Sequence, residues 1–395
     1  MNKKDIQHFR KHLKTNSELL SIDHIYSAYV MKESSEVYHE QLISFDLLEE
    51  EQKELFLNNF KKLLSGQLDE KMFVLKFQRD VETEQRSEEI LYDALTSEDQ
   101  QSWQAEISLL VDKMFQERHY ETDVVVTFIR GNYLKPGNKG YEDRDEAETD
   151  ILHKHGFIMC TINKTQMPKS ELLFDYVEKE FKYNVMIDPV INLKAPLSGF
   201  LYPTFTEGVS NVNRVLYGAE KKFKIDDYFV EHVLNAEDTM TAEDDKIVFE
   251  EVVNQLAAEQ LDTSTLSKMY EEIYQVIEYH DEEEETDPTL DFRDVEEVLK
   301  KSGVEVESTE AVRTAFETVA QDSRIELKAA NVVPKATSKS IKIKTKVADV
   351  AIRPQDLKYV RQVKMDGKLC LMIEVEENTM IEGFEMIPEA LFKQD

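Results

Sequence analysis

Residues 184–218, NVMIDPVINLKAPLSGFLYPTFTEGVSNVNRVLYG, form the stretch that decides how the rest of the chain is interpreted. The stretch contains three of the nine prolines and three of the eleven glycines, yet it is rich in apolar and aromatic side chains. This composition argues against a flexible linker and indicates extended segments close to a packed core. We interpret residues 200–205, FLYPTF, as an extended segment and residues 207–218 as a short helix that ends at Gly218.

Four side chains of this stretch are candidate partner-binding residues. Aromatic and arginine side chains are enriched among the residues that dominate protein interfaces. A rigid segment that carries several of them would present a recognition surface, and the alternative is a proline-kinked edge that covers the core. The candidates are Tyr202, Phe205, Arg214 and Tyr217.

Most of the chain before this stretch alternates between strand and helix patterns, which predicts a mixed or antiparallel sheet covered by helices. The helix over residues 170–182 is predicted because Leu173, Val177 and Phe181 recur at helical spacing. Strands are predicted at residues 24–31, 37–45, 72–77, 123–129 and 156–163, and the other helices at residues 2–14, 47–64, 86–95 and 100–118.

The chain after this stretch changes in charge from acidic to basic. Acidic helices are predicted at residues 226–234, 242–259, 264–280, 290–301 and 309–320, with Ser308 as the N-cap of the last. Residues 328–368 contain eleven basic and three acidic residues, a net charge of +8 that leaves -40 for the remainder. Within them, SIKIKTKV alternates with period two, and Asp366-Gly367 is typical of a hairpin turn.

These patterns predict an α+β protein in three parts. The parts are a mixed or antiparallel sheet domain over residues 1–235, an acidic helical region over residues 236–322 and a small basic antiparallel β module over residues 323–395.

The overall composition indicates a cytosolic protein that does not bind membranes. Lys and Arg number 48 against 80 Asp and Glu in 395 residues, a net charge of -32 that repels DNA, RNA and anionic membranes at long range. The first residues carry no apolar signal-peptide core, and no apolar run is long enough to span a bilayer. Two distant cysteines, Cys160 and Cys370, are expected to be buried and reduced.

One constellation could hold a divalent metal. Asp150, His153 and His155 precede a predicted strand, on which alternate histidines would point the same way. Bound metal would activate water for hydrolysis, and the alternative is a pair of solvated histidines at a loop end. No nucleotide-binding, zinc-protease or serine-hydrolase motif occurs, so the sequence predicts no cofactor.

The basic strand allows two interpretations. Lys342, Lys344 and Lys346 would contact nucleic-acid phosphates in a salt-dependent manner. Alternatively, these lysines dock on the acidic helices of the same chain or protect an edge strand. Aromatic residues that could stack on bases are few, since only Tyr359 lies near.

Three motifs together resemble one family. They are the opening MNKKDI-x-x-FRK-x-L, the segment GFLYPTF followed by N-x-N-x-x-LY, and the closing DGK-x-CLMIEV with EGFEMIP. The family is an uncharacterised group of Gram-positive bacterial proteins, domain of unknown function 4317. The resemblance spans nearly the whole chain and implies no catalytic residue and no ligand. The order of sheet, acidic helices and β module is also similar to that of nucleoid-associated proteins.

The sequence thus favours a non-enzymatic interaction or regulatory protein that binds an unknown protein partner. One alternative is a protein that contacts nucleic acid, the ribosome or the nucleoid through the basic module. The other alternative is a metal-assisted hydrolase or nuclease. The oligomeric state does not follow from the sequence.

Overall fold

The computed structural model divides the chain into two compact units, Met1–Thr241 and Ala242–Asp395. Both units combine helices with antiparallel strand pairs. The described residues are 1–79, 85–136, 152–168, 171–184, 188–206, 209–257, 260–280, 287–322, 324–334, 341–365, 367–375, 379–381 and 384–385.

The first unit alternates helices and strands. Its first half contains α1 (Lys3–His12), β1 (Leu20–Val30), β2 (Val37–Ser44), a 3-10 helix (Phe45–Leu47), α2 (Glu50–Leu63), β3 (Met72–Lys76), α3 (Ser87–Thr96) and α4 (Gln100–Phe115). Its second half contains β4 (Val124–Pro136), β5 (Leu152–Gln166), β6 (Glu171–Asp175), β7 (Glu180–Asn184), β8 (Val190–Ile191), β9 (Ser198–Tyr202), β10 (Thr204–Thr206), β11 (Val209–Asn211), β12 (Arg214–Ala219) and a π-helix (Tyr228–Val233).

An eight-stranded sheet organises this unit. Seven strands follow the order β2-β1-β4-β5-β9-β12-β3, with antiparallel neighbours, and β8 pairs with the end of β5. The segment SGFLY forms the inner strand β9, and all five of its residues are buried. Both faces of β9 are covered, because Phe200 and Tyr202 lie in one core and Leu201 lies in the other.

Each face of the sheet has its own hydrophobic core. The first core lies under α3, α4 and the π-helix and contains Trp103, Phe128 and Phe200. The second core lies under α1 and α2 and contains Phe9 and Phe60. The apolar stripes of the helices supply one side of each core and alternating strand residues supply the other. The predicted α+β class with an antiparallel sheet is therefore confirmed.

Two predicted helices are wrong. The helix predicted over residues 170–182 falls on the strands β6 and β7 and the turn between them, which together cover residues 171–184. The predicted helix over residues 207–218 overlaps the strands β11 and β12. Val215, Leu216 and Tyr217 are all buried, because β12 lies between β9 and β3 with both faces covered. A local apolar spacing cannot distinguish a doubly covered strand from a helix.

The second unit contains helices followed by short hairpins. Its elements are α5 (Ala242–Ala257), α6 (Thr263–Glu278), β13 (Thr289–Leu290), α7 (Phe292–Lys301), α8 (Thr309–Ala320), β14 (Leu327–Lys328), α9 (Ala329–Val332), β15 (Ile341–Lys344), β16 (Asp349–Ile352), a 3-10 helix (Pro354–Tyr359), β17 (Val360–Met365), β18 (Lys368–Ile373), β19 (Met380–Ile381) and β20 (Phe384–Glu385).

The helices of this unit pack on one another and on one hairpin. α8 contacts α5 and α7, and α6 contacts the second 3-10 helix and β17. Leu357 and Val360, at that contact, are buried. The hairpins β15–β16 and β17–β18 each form a separate two-stranded sheet within the described residues. Such small sheets are marginal alone, so α6 provides the support for β17.

Candidate interaction surface

The hairpin β6–β7 is fixed by a turn over residues 176–179. The Asp175 carboxylate accepts hydrogen bonds from the backbone N–H groups of Val177, at 2.8 Å, and Glu178, at 3.1 Å. Aspartate side chains form such turns by bonding to the backbone two or three residues ahead. Lys179 completes the loop with φ of 54°. The sequence DYVEK therefore directs the chain into a turn instead of a continuous helix.

One face of this hairpin consists of four large apolar side chains. Leu172 is the cross-strand partner of Tyr183, and Phe174 is the partner of Phe181. Side chains two positions apart on a strand share a face, so these four lie together. All four are exposed, from 40% for Phe174 to 72% for Phe181. We call Leu172, Phe174, Phe181 and Tyr183 the aromatic face.

Further apolar side chains are exposed at the turn of the hairpin and in the segments on either side of it. At the turn, Tyr176 and Val177 are 86% and 87% exposed, and the Tyr176 ring lies edge-on to Phe174 at 5.2 Å. At the base, Met167 and Val190 are exposed as well. The four side chains of the aromatic face, with Tyr176 packed against Phe174, form an exposed apolar patch of the kind that marks sites where proteins bind partners.

The opposite face of the hairpin is held by ion pairs. The Lys182 Nζ lies 2.9 Å from an Asp175 carboxylate oxygen and 3.4 Å from a Glu180 carboxylate oxygen. The ion pair with Lys182, the largest cause, and the turn hydrogen bonds lower the pKa of Asp175. Since β6 and β7 pair only with each other within the described chain, the hairpin presents its apolar face to solvent.

The aromatic residues predicted from the sequence to bind a partner lie inside the fold. Tyr202 and Tyr217 belong to the first core, and Phe205 belongs to the second. Burial raises the pKa of both tyrosine phenols well above the ordinary value. Arg214 is half-buried at the start of β12, opposite Lys76 of β3. The structure brings these four residues to neighbouring strands without placing the three rings at the surface.

Phe205 connects several elements around α1. Its ring stacks on Phe9 at 5.7 Å and lies 5.7 Å from Tyr133 and 5.4 Å from His155. Tyr133 in turn forms a hydrogen bond with the His8 ring. This cluster holds α1 on the sheet, because the amphipathic helix buries Phe9 in it.

The two histidines of the candidate metal site lie on β5. His153 is exposed, whereas His155 is buried, and their ring centroids are 6.4 Å apart. The His155 Nδ1 is 2.6 Å from the Ser210 Oγ. The third predicted ligand, Asp150, lies outside the described residues. Among the residues that the structure describes, no group of three His, Cys, Asp or Glu side chains is placed to hold a metal ion.

The three lysines predicted to contact nucleic acid lie in the second unit. Lys342 and Lys344 are exposed on β15, whereas Ile341 and Ile343 on the other face are half-buried. Lys346 is exposed in the loop that leads to β16. The predicted strand and its alternation are confirmed for β15.

One half-buried lysine, Lys113, has the pairing of a serine-lysine nucleophile. The Lys113 Nζ donates to the Ser87 Oγ at 2.7 Å and to the Asn235 Oδ1 at 2.6 Å. Burial lowers the pKa of Lys113 to about 8, a value suited to a general base. Ser87 is nevertheless fully buried and donates to the Val233 carbonyl. The network therefore joins α3, α4 and the π-helix, and offers no path for a substrate to the hydroxyl.

The family comparison agrees with the motifs in the sequence. The family described as domain of unknown function (DUF4317) matches residues 1–384, so the chain belongs to this family. The search of curated proteins gives no match. Within the described residues, no helix combines the length and apolar character needed to cross a membrane.

The sequence contained a signal for the aromatic face that the helical interpretation concealed. Large apolar side chains occupy every second position at Leu172, Phe174 and Tyr176, and again at Phe181 and Tyr183. This period of two is typical of a hairpin. Leu173, Val177 and Phe181 also fit a helical spacing. Because residues 170–182 were interpreted as a helix, the hairpin that carries the aromatic face was not predicted.

Proposed function

We propose that the chain is a non-enzymatic interaction protein and that the aromatic face binds a partner protein. The observation that supports this proposal is the exposure of Leu172, Phe174, Phe181 and Tyr183 on one side of a hairpin. A hairpin normally buries one face against a core, and this face has none in the described chain. Covering it with a partner would remove the apolar surface from water.

The charged and aromatic residues of the β6–β7 hairpin favour a protein partner over a nucleic acid or a membrane. Residues 171–184 contain four acidic and two basic residues, which repel phosphates and anionic lipids. Aromatic rings such as those of Phe174 and Phe181 supply large contact areas and act as anchors in protein pockets. The surface at Tyr202, Phe205 and Tyr217 is less suitable, because those rings are buried.

Photocrosslinking from two matched positions tests this proposal. A benzophenone amino acid replaces Tyr176 at the hairpin turn in one version of the full chain and Tyr279 at the end of α6 in another. Both tyrosines are 86% exposed, so accessibility is equal. We expect a discrete crosslinked protein from position 176 and none of that mass from position 279.

A second variant shows whether the aromatic face itself makes the contact. Phe174→Ser with Phe181→Ser should abolish the crosslink from position 176, whereas Leu47→Ser, at a side chain that is 77% exposed elsewhere, should leave it unchanged. A crosslinked species of twice the chain mass would identify a second copy as the partner. Equal crosslinking from both positions, or a crosslink that survives the double substitution, would overturn the proposal.

A further inference from the structure

The C-terminal hairpins carry an unusual set of cationic side chains. Residues 341–373 contain eight basic and three acidic residues, although acidic residues predominate in the whole chain. None of the eight forms an ion pair within the described part of the chain, and the seven apart from Lys358 are exposed without a ring contact. We call these side chains the basic surface: Lys342, Lys344, Lys346, Arg353, Lys358, Arg361, Lys364 and Lys368.

Several basic side chains elsewhere in the same unit form ion pairs. Five of them lie between 2.6 and 3.6 Å from a carboxylate on their own or a neighbouring segment. They are Lys246, Lys300, Lys301, Arg313 and Arg324. Docking of the basic surface on the acidic helices would produce similar pairs, and the described residues contain none.

The first hairpin places two of its charges on one face of a strand. Lys342 and Lys344 are two positions apart on β15, which separates their Cα atoms by about 7 Å on the same face. Lys346 follows in the loop. The residue opposite Lys342 is the small Ala351, so β16 does not cover this lysine. Lysines protect strand edges, but a group of three without carboxylate partners in the described chain also suits an extended polyanion.

The second hairpin adds charges on a supported scaffold. Arg361 and Lys364 on β17, and Lys368 on β18, are exposed, while Val360 at the start of β17 is buried. α6 contacts β17, so the hairpin is anchored at that end. Arg361 and Lys368 share one face of this hairpin and Lys364 lies on the other, so the charges project from both faces.

We infer that the basic surface binds the phosphate backbone of nucleic acid, an activity that goes beyond the proposed contact of the aromatic face. Residues 341–375 contain a single aromatic residue, Tyr359, so stacking on bases contributes little. Recognition through phosphates alone is independent of base sequence. The negative charge of the remaining chain opposes a polyanion at long range, but at physiological ionic strength such repulsion is screened beyond about 8 Å.

Fluorescence anisotropy with labelled oligonucleotides tests this inference on the full chain. We expect binding of a random-sequence duplex at 50 mM salt, with affinity that falls as salt rises. Replacing Lys342, Lys344 and Lys346 by Gln should weaken binding at least tenfold and reduce the salt slope by about 3, roughly 1 for each lost phosphate contact. Replacing the same three by Arg keeps the charge and should preserve binding.

A control variant of equal net charge separates a local contact from an overall charge effect. Lys246→Gln with Lys300→Gln and Lys301→Gln removes three charges that already pair with carboxylates, so binding should be unchanged. Equal weakening in both triple variants would overturn the inference. Binding that is insensitive to salt, no binding of duplex or single strands, or binding of anionic vesicles alone would overturn it as well. Crosslinking from the aromatic face should be unaffected by these substitutions, so the two proposals are tested separately.

Discussion

The rings of Phe174 and Phe181 lie across the β6–β7 hairpin from each other with their centroids 5.2 Å apart and an interplanar angle of 62°. Both belong to the same cross-strand pair, and both are exposed. This edge-to-face contact stabilises the hairpin locally and leaves much of each ring in contact with water. The same pair therefore gives the hairpin its shape and supplies the apolar surface for a partner.

The exposed pair should contribute little to the stability of the first unit. Phe174→Ala removes one cross-strand contact, and such contacts are worth roughly 0.2–1 kcal/mol. We expect the free energy of unfolding to fall by less than about 1 kcal/mol. The measurement is urea unfolding followed by the fluorescence of Trp103, the only tryptophan, which lies in the first core.

A buried phenylalanine provides the matched comparison. Phe200 is fully buried, and the centroid of its ring lies 6.1 Å from that of Phe128. Phe200→Ala leaves a cavity in the first core and should cost about 3–5 kcal/mol in the same experiment. Similar losses for Phe174→Ala and Phe200→Ala would show that the aromatic face is already covered in the free protein.

The close approach of β9 to β5 predicts that Gly199 tolerates no side chain. A Cβ at this position would lie 2.0 Å from the backbone carbonyl oxygen of Cys160. Since the oxygen belongs to the central sheet, Gly199→Ala must displace the backbone, and we expect a loss of several kcal/mol or a failure to fold. Solubility and thermal unfolding by circular dichroism measure the outcome.

Gly303 serves as the control, because its constraint is of another kind. Its φ is +91°, but a Cβ there would meet no atom within 4 Å. Gly303→Ala therefore adds backbone strain alone, of order 1–3 kcal/mol. A Gly199→Ala protein as stable as Gly303→Ala would contradict the packing of β9 against β5.

Secondary structure was predicted correctly from the sequence where a segment shows one strong local pattern. The prediction failed where a helical and a strand pattern overlap in the same segment. β15 alternates over Ile341–Lys344 as expected from SIKIKTKV, whereas residues 345–347 lie in the turn that follows. Ser308 caps α8 by accepting from the Ala311 N–H at 3.2 Å. The segment 170–182 satisfies a helical spacing and a strand alternation at once. The cross-strand pairing of Phe174 with Phe181 and the turn at Asp175 favour the hairpin over the helix. An analysis of helical periodicity takes neither contact into account.

The site was harder to predict than the fold for a related reason. Aromatic side chains at Tyr202, Phe205 and Tyr217 suggest an interface by residue type, but residue type does not reveal which face of a sheet is covered. The burial of these rings depends on α1, α3 and the π-helix, which come from distant parts of the chain. Exposure is a property of the assembled sheet and not of the local sequence.

Lys113 predicts that stability rises with pH in the alkaline range. Burial lowers the pKa of Lys113 to about 8 in the folded protein, whereas an unfolded lysine titrates near about 10.4. Between these two values the unfolded chain binds more protons, so the free energy of unfolding increases with pH. Below pH 8 the lysine is charged in both states, and its contribution is constant. The expected slope is at most about 1.4 kcal/mol per pH unit.

Comparison with Lys113→Met isolates this contribution. Other groups also titrate in this range, since burial raises the pKa of Cys160 and of several tyrosines, and they lower stability as pH rises. These groups are present in both proteins, so the difference between the two unfolding free energies cancels them. We expect the wild-type value to rise relative to the variant from pH 8 to 10, measured by urea unfolding at constant ionic strength. A constant difference would show that Lys113 keeps its charge in the network with Ser87 and Asn235.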